Sequence, residues 1–187
     1  VSRGLGDVYK RQVLNMNAII ENLLTRRSTR AFLQKEIPDN ELNEILQAAI
    51  YAPSGMGKQT WKFTVLCNQE KIQQLAELIG RKLGRKGYDM YRPQVLIIPS
   101  NQKENPHGME DNACALENIF LAAHSFGIGS VWINQLRTLC DDPEVRALLD
   151  EFEIPSDHVV YGMAALGYPA DAPKKEIHKI GEIRIIK

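Results

Sequence analysis

Three short stretches of this sequence combine residue types that could bind an anion or a planar ring. The first, LLTRRSTRAF at positions 23–32, places Arg26, Arg27, Ser28 and Arg30 within five residues. Guanidinium groups, a hydroxyl and turn amides can together hold a phosphate monoester through charge-assisted hydrogen bonds. The residues alone leave an alternative open, in which the arginines only complement a helix dipole and pair with surface acids.

The second stretch is the loop APSGMGKQTW at positions 52–61. Its Pro-Ser-Gly turn is expected to leave backbone N–H groups unpaired by regular structure, and Gln59 can both donate and accept. The loop could border a planar heteroaromatic ring, or it could be a plain helix-to-strand connection. The third stretch, GIGSVWIN at 127–134, lacks the third glycine of a dinucleotide fingerprint and precedes a strand, which excludes a Rossmann site there.

Hydrophobic periodicity predicts the elements that must position these stretches. Helices are predicted at 17–27, at 39–52 with Asp39 as N-cap, at 69–84, at 109–127 and at 142–152. Strands are predicted at 61–68, 94–99, 130–134 and, as one segment, 158–169. The apolar run at 94–99 is typical of a central strand. Gly127 is expected to end the long helix in a left-handed conformation. Mixed elements without repeats predict one α+β domain.

Composition limits the possible functions. The chain has 187 residues with 23 basic and 23 acidic side chains, so its formal net charge is zero and no global field attracts nucleic acid or a membrane. Cys67, Cys114 and Cys140 are odd in number and lack CxxC spacing, which argues against a disulfide framework or a zinc knuckle and favours a reducing compartment. No apolar run approaches the roughly 18 residues that span a bilayer. We therefore expect a soluble, cytoplasmic protein without a metal site.

The beginning of the chain differs from the rest. Residues 1–12, VSRGLGDVYKRQ, have no helical or strand period and lack the apolar segment of a signal peptide. We interpret residues 1–15 as a non-native leader and expect the native chain to begin at Met16. Residues 16–187 are then a single domain. An ordered N-terminal arm is the alternative for the leader.

Four motifs in a fixed order resemble the nitroreductase family of flavin mononucleotide (FMN) oxidoreductases. They are RRSTRAF after the first helix, APSGMGKQTWKF after the second, DNACALENIFLAAHSFGIGSVWI, and a closing ALGYP. The resemblance runs from about Met16 to about Lys179. It implies an α+β fold in which helices wrap a central, mostly antiparallel sheet. It also implies an interlocked homodimer with two FMN sites at the interface.

The resemblance gives the arginine-rich stretch a purpose. Arg26 and Ser28 match the positions that hold the FMN phosphate and ribityl chain, with Arg27 in the same cluster. Arg30 matches the cation beside the flavin N1 and O2. A fixed cation there would stabilise the negative charge of reduced flavin and raise its two-electron potential.

The loop residues are assigned in the same way. Pro53, Ser54 and Gly55 match the loop that the partner subunit lays beside the flavin, and Gln59 matches the polar residue after it. The family commonly has asparagine where this chain has Gly57 and proline at the position before the tryptophan, which is Thr60 here. These departures bear on one hydrogen bond at the edge of the flavin ring.

Further along the chain, Ile133 and Asn134 match the strand end whose backbone reaches the flavin N5 edge. His178 and Lys179 fall near the position where the family often has lysine or arginine on the phosphate. A histidine there would make phosphate holding pH-dependent, since it titrates near pH 6.5, and would lower the affinity for FMN.

The implied function is FMN-dependent reduction of an electron-poor acceptor, such as a nitroaromatic, quinone or enone, with NADH or NADPH as donor in a ping-pong cycle. Because the flavin carries the chemistry, no catalytic side chain is predicted. Flavin fragmentation, reductive dehalogenation and non-catalytic FMN storage are the alternatives. The segment 84–109, which contains His107 and Met109, could be a lid over the substrate or a connector. Cys114 and Trp132 are predicted to lie in the core, and His124 to be a dipole partner or a satisfied core residue.

Overall fold

The computed structural model describes residues 17–172 and 180–187. The leader predicted at 1–15 and the start at Met16 therefore lie outside the described residues. The helices of the described part are α1 (Ala18–Thr25), α2 (Asp39–Ile50), α3 (Gln69–Lys82), α4 (Gly108–Ser125) and α5 (Pro143–Glu151). Its strands are β1 (Trp61–Leu66), β2 (Val95–Gln102), β3 (Gly129–Ile133), β4 (His158–Val159) and β5 (Met163–Gly167).

The strands form one antiparallel sheet in the order β1-β2-β5-β3. The short strand β4 pairs with the far end of β2, at Asn101 and Gln102. The sheet confirms the predicted α+β class and its mostly antiparallel character. Strand β2 lies between β1 and β5, so the apolar run at 94–99 is a central strand, as predicted.

Helices cover both faces of the sheet because β2 is apolar at successive positions. Val95 and Ile97 belong to the core that contains the apolar residues of α2 and α4. Leu96 and Ile98 belong to the core on the other face, with α3 and α5. Alternate residues of a strand point to opposite faces, so a continuous apolar run is buried twice. Helix α1 packs outside α4, where Asn22 Nδ2 donates to the Leu121 carbonyl at 2.9 Å.

Two predicted helix ends can be compared with the structure. Asp39 is not the N-cap of α2: Pro38 occupies that position without a side-chain cap bond, and Asp39 is already helical. The Pro38 carbonyl accepts the first helical bond from Leu42 N, so the Asp39 carboxylate favours the helix by its charge in the first turn. Gly127 follows the end of α4 with φ of 71°, as predicted.

The predicted strand at 158–169 and the predicted burial of Trp132 are wrong. Residues 160–162 separate β4 from β5, and Trp132 is 39% exposed. The Trp132 indole lies over Gly162, in the segment between the two strands, where an added Cβ would come within 2.6 Å of the ring. Among the described residues, no helix is both long enough and apolar enough to cross a membrane.

Candidate functional site

The arginine-rich stretch lies along strand β3. Ser28 forms a parallel bridge with Ser130, and Thr29 N donates to the Ser130 carbonyl at 2.9 Å. Thr29 packs directly on Gly129, where an added Cβ would come within 2.5 Å of Thr29 Oγ1. The absence of a side chain at Gly129 therefore lets the segment after α1 approach the sheet edge.

The three arginines have different surroundings. Arg26 is half-buried and its guanidinium lies 5.9 Å from the centre of the Phe120 ring. Arg27 Nη1 donates to the carbonyls of Leu24 and Arg26, both at 2.9 Å. It therefore caps the end of α1, as the helix-dipole alternative expects for one arginine. Arg30 is exposed.

The arginines do not pair with surface acids, the other part of the alternative, within residues 17–172 and 180–187. No carboxylate there forms an ion pair with any of the three arginines, although pairs form elsewhere on the surface. Three cations without a carboxylate on one short segment provide positive charge for an anion from solution.

A small cavity adjoins the cluster. It has a volume of about 170 Å³ and its lining includes Arg26, Arg27, His124 and Ser130. Ser130 is 1% exposed, and its Oγ is buried without a hydrogen-bond partner in the described structure. A buried hydroxyl without a partner is unfavourable, so this one is available to a ligand or a water molecule.

His124 lies near the C-terminus of α4 and borders the same cavity. Its Nε2 lies 2.8 Å from Thr25 Oγ1 at the end of α1. Burial, and then the positive charges of Arg26 and Arg27, lower the pKa of His124 below its usual value. His124 is therefore a satisfied, half-buried residue, in agreement with one of its two predicted roles.

Several amides of the loop at 52–60, a loop in which the sequence predicts unpaired N–H groups, have acceptors in the structure. Gly55 N donates to Asp111 Oδ1 at 2.7 Å, and Gln59 N donates to Ser54 Oγ at 3.3 Å. Gly57 N donates to the Ser54 carbonyl at 3.0 Å. The Ser54 hydroxyl accepts from Gln59 and keeps its own proton to donate. The loop therefore offers a side-chain hydroxyl that can donate to a ligand.

Backbone geometry directs parts of this loop outward. Gln59 has φ of 49° and is exposed, as is Pro53. Gly57, where the family commonly has asparagine, has φ of 65°, a conformation that glycine adopts at little cost. The departure at Gly57 thus fits the local backbone.

A buried polar network holds the loop from behind, and the sequence analysis missed it. Asp111 is 3% exposed, and its Oδ2 accepts from Asn105 Nδ2 at 3.0 Å. Thr60 Oγ1 donates to Asn101 Oδ1 at 2.6 Å and accepts from Asn105 Nδ2 at 2.9 Å. Proline, the common family residue at this position, has no hydroxyl for these bonds. The only sign of this network in the sequence was a group of polar residues next to the apolar residues that predicted helix α4.

The segment predicted as a lid or connector includes strand β2, so only its ends are loops. At one end, His107 packs against Gly55: an added Cβ there would come within 2.6 Å of the His107 ring. His107 N also donates to Asn105 Oδ1 at 3.0 Å. The residues before α4 therefore brace the loop at 52–60.

The strand end predicted to reach the ring lies at the end of β3. Ile133 is buried and pairs with Met163, whereas Asn134 is exposed just beyond the strand. Asn134 Oδ1 accepts from Trp132 Nε1 at 3.3 Å. His178 and Lys179 lie outside the described residues.

The two main predicted groups are far apart within one chain. The loop contacts Asp111 in the first turn of α4, and the arginine cluster adjoins His124 in the last turn. At roughly 1.5 Å per residue these positions are about 20 Å apart along the helix. One chain thus holds the arginine cluster at one end of α4 and the braced loop at the other.

Comparison with known proteins identifies the family of this chain. The sequence model of the Nitroreductase family matches residues 23–94 and 82–168. A protein of Archaeoglobus fulgidus with the provisional name NADH dehydrogenase/NAD(P)H nitroreductase is 32% identical over 158 residues, which cover 83% of this chain and 88% of that protein. An FMN reductase (NADPH) of Bacillus subtilis is 27% identical over 180 residues, covering 86% of this chain and 70% of that protein.

A solved structure supports the same relationship. The crystal structure of a nitroreductase with bound FMN from Bacteroides fragilis has a TM-score of 0.87 and 43% sequence identity, and the match covers 92% of this chain and all of that chain. The family match extends over most of the chain and includes the arginine-rich stretch from Leu23 onward, the braced loop and strand β3. The chain belongs to the nitroreductase family.

Proposed function

We propose that this protein is an FMN-dependent oxidoreductase that uses NADH or NADPH to reduce an electron-poor acceptor, such as a nitroaromatic, a quinone or an enone. The observation that carries the proposal is the cluster of three arginines without a carboxylate partner in the described residues, beside a cavity with an unpaired buried hydroxyl. These residues fit the phosphate of FMN. The similar proteins named nitroreductase and FMN reductase support the reaction class.

Each residue of the cluster has a distinct role in this proposal. Arg26 and Ser28 bind the phosphate and the ribityl chain, and Arg27 fixes the end of α1 while adding to the positive potential. Arg30, which is exposed and free of carboxylates in the described part, supplies the cation beside the ring. The chain beyond β3, at Asn134, borders the ring edge. His178 and Lys179 remain predicted phosphate ligands.

The complete site takes two chains. Because the braced loop and the arginine cluster lie at opposite ends of α4, one FMN contacts both only if a second chain contributes its loop. In a twofold dimer each chain gives its cluster to one site and its loop to the other. We therefore propose a homodimer with two equivalent sites. Residues Pro53, Ser54, Gly55 and Gln59 belong to the loop that the partner provides.

When bound, FMN supplies the hydride chemistry of the reaction. The chain positions it: Arg26 neutralises the phosphate with added positive potential from Arg27, and Asp111 and His107 hold the loop in place behind Gly55. The Arg30 guanidinium, placed beside N1 and O2 of the flavin ring, stabilises the negative charge that develops there on reduction. The guanidinium need not move during the reaction. No side chain of this chain is assigned a proton-transfer step.

The proposed domain is a single unit from residue 16 to 187, and residues 1–15 are a leader that the activity does not need. We place the enzyme in the cytoplasm, where both nicotinamide donors are available. Removal of residues 1–15 is expected to leave the flavin content and the melting temperature unchanged. A large loss of either would show that the leader belongs to the fold.

The test of function is anaerobic titration of the purified full-length protein. NADH or NADPH should bleach the absorbance of its bound flavin, and a nitroaromatic or a quinone should restore it. The flavin released on denaturation should be FMN. Bound flavin that neither nicotinamide bleaches would favour a storage protein, and released FAD alone would overturn the proposed cofactor.

A further inference from the structure

The hydrogen bonds of His124 fix which of its ring nitrogens carries the proton in the neutral state. Thr25 Oγ1 donates its only proton to the Glu21 carbonyl at 2.7 Å. With this proton on the Glu21 carbonyl, the contact of 2.8 Å between Thr25 Oγ1 and His124 Nε2 is a bond in which Nε2–H donates, an assignment that follows from the orientation of the hydroxyl. In the neutral ring Nδ1 then has no proton, and it is the atom that would be protonated next.

The groups around His124 are positive or neutral on almost every side. Arg26 and Arg27 follow α1 and border the same cavity, and β3 contributes the unpaired hydroxyl of Ser130. On the other side of the imidazole, α1 contributes the exposed carboxylate of Glu21, which shares a surface groove with His124. Burial and the two guanidinium groups lower the pKa of the ring, so the imidazole is neutral near pH 7.

A bound phosphate reverses the local field. A phosphate monoester carries close to two negative charges at neutral pH, because its second pKa is about 6. Burial is the larger cause of the lowered pKa of His124, and a phosphate beside Arg26 and Arg27 offsets the second cause, the positive charge of the two guanidinium groups. In a half-buried site this effect is only weakly screened. The imidazolium then has an anion among its neighbours as well as the two cations.

We propose that His124 is a proton-linked phosphate-binding residue: when the FMN phosphate occupies the cavity beside Arg26 and Ser130, Nδ1 of His124 takes up one proton from solvent. This inference rests on the proposed function, since it assigns the phosphate of FMN to this cavity. The reaction is one protonation, with no other bond made or broken. It adds His124 and Ser130 to the binding residues that the sequence indicated.

The proposal predicts a pH dependence of FMN affinity. Because the flavin-loaded protein binds one more proton, affinity rises as the pH falls through the pKa of His124 in the loaded state toward its lower pKa in the free protein, by up to about tenfold per pH unit. Protonation of the phosphate itself opposes this trend below about pH 6. Riboflavin lacks the phosphate, so its affinity should not follow the His124 titration.

The test measures release of FMN and of riboflavin from the full chain by ultrafiltration between about pH 8 and pH 6. The wild type is compared with His124→Gln, whose amide can still donate to Thr25. The wild type should bind FMN more tightly at the lower pH, whereas His124→Gln should lose that gain and riboflavin should have no such gain in either protein. An equal pH slope for FMN in both proteins would overturn the inference.

A second measurement does not depend on the variant folding. The pKa of His124 in the wild type, followed by NMR of its ring protons, should be higher in the flavin-loaded protein than after FMN removal. An unchanged pKa would also overturn the inference. FMN binding without pH linkage leaves the proposed function intact, whereas no FMN binding at any pH would refute the proposed function itself.

Discussion

Replacement of Asp111 by alanine should weaken the fold and release the loop that we assign to the partner's flavin. The carboxylate accepts from Gly55 N at 2.7 Å and from Asn105 Nδ2 at 3.0 Å. Hydrogen bonds to a charged group contribute about 1.5–3 kcal/mol each. Asn105 Nδ2 keeps its bond to Thr60 Oγ1, so Asn105 loses only part of its hydrogen bonding, whereas Gly55 N loses its acceptor. The expected decrease in the free energy of unfolding is therefore about 2–4 kcal/mol.

Two further variants separate the network from the charge of the helix. Glu110→Ala removes an exposed carboxylate from the same first turn of α4, so it should cost only the helix-dipole contribution of about 0.3–1 kcal/mol. Asp111→Asn keeps an acceptor for Gly55 N but presents an NH₂ group to Asn105 Nδ2, so its loss should lie between the other two. Urea unfolding at matched protein and FMN concentrations measures all three, since bound flavin adds stability.

Hydrogen exchange provides a local readout for the same variants. The Gly55 amide should exchange faster in Asp111→Ala than in Glu110→Ala, because only the former removes its acceptor. Equal losses of stability in Asp111→Ala and Glu110→Ala, together with unchanged exchange at Gly55, would refute the view that Asp111 holds the loop.

Three further predictions concern the arginine cluster and the sheet. Arg30→Gln should lower the FMN reduction potential while most flavin is retained, because the reduced ring loses its nearest counter-charge. Arg26→Gln should instead mainly weaken FMN binding, by about 1.5–3 kcal/mol. Equal flavin loss in both variants, without a change in potential, would show that the arginines only bind the phosphate. Gly129→Ala should lower FMN affinity, because the new Cβ would come within 2.5 Å of Thr29 Oγ1 and displace the stretch that carries the arginines. An unchanged dissociation constant for FMN would contradict the placement of this stretch against β3. His158 is buried, and burial is the main cause of its lowered pKa, so the unfolded state binds more protons and stability should fall as the pH drops below about 6.5 toward the folded-state value. Urea midpoints across this range should show the decrease in the wild type and a smaller one in His158→Gln.

The sequence predicted the helices and most strands because their apolar spacing follows the period of each element. Strand β2 was identified as central from a run of residues that are buried on two faces, in separate cores. Periodicity could not divide 158–169 into two strands, since burial continues across the break, where Val160 and Gly162 are buried like the strand residues beside them.

The support of the candidate loop was also outside the reach of the sequence. Asp111, Asn105 and Thr60 come from three separate segments, and Gly55 is 56 positions from Asp111 in the chain. Polar contacts over such separations leave no periodic signal. The turn chemistry correctly marked an irregular loop, but it could not show that a buried carboxylate already holds one of its amides.

The central claim is that one FMN lies between the arginine cluster of one chain and the loop of another, and mixing two defective chains tests it most directly. Arg26→Gln impairs the cluster, and Gly55→Val impairs the loop, because its Cβ would come within 2.6 Å of His107. At a concentration where neither parent retains FMN, mixed dimers contain one site with both halves intact and should bind one FMN per dimer. Failure of correctly folded mixed dimers to recover any FMN would contradict a site shared between two chains.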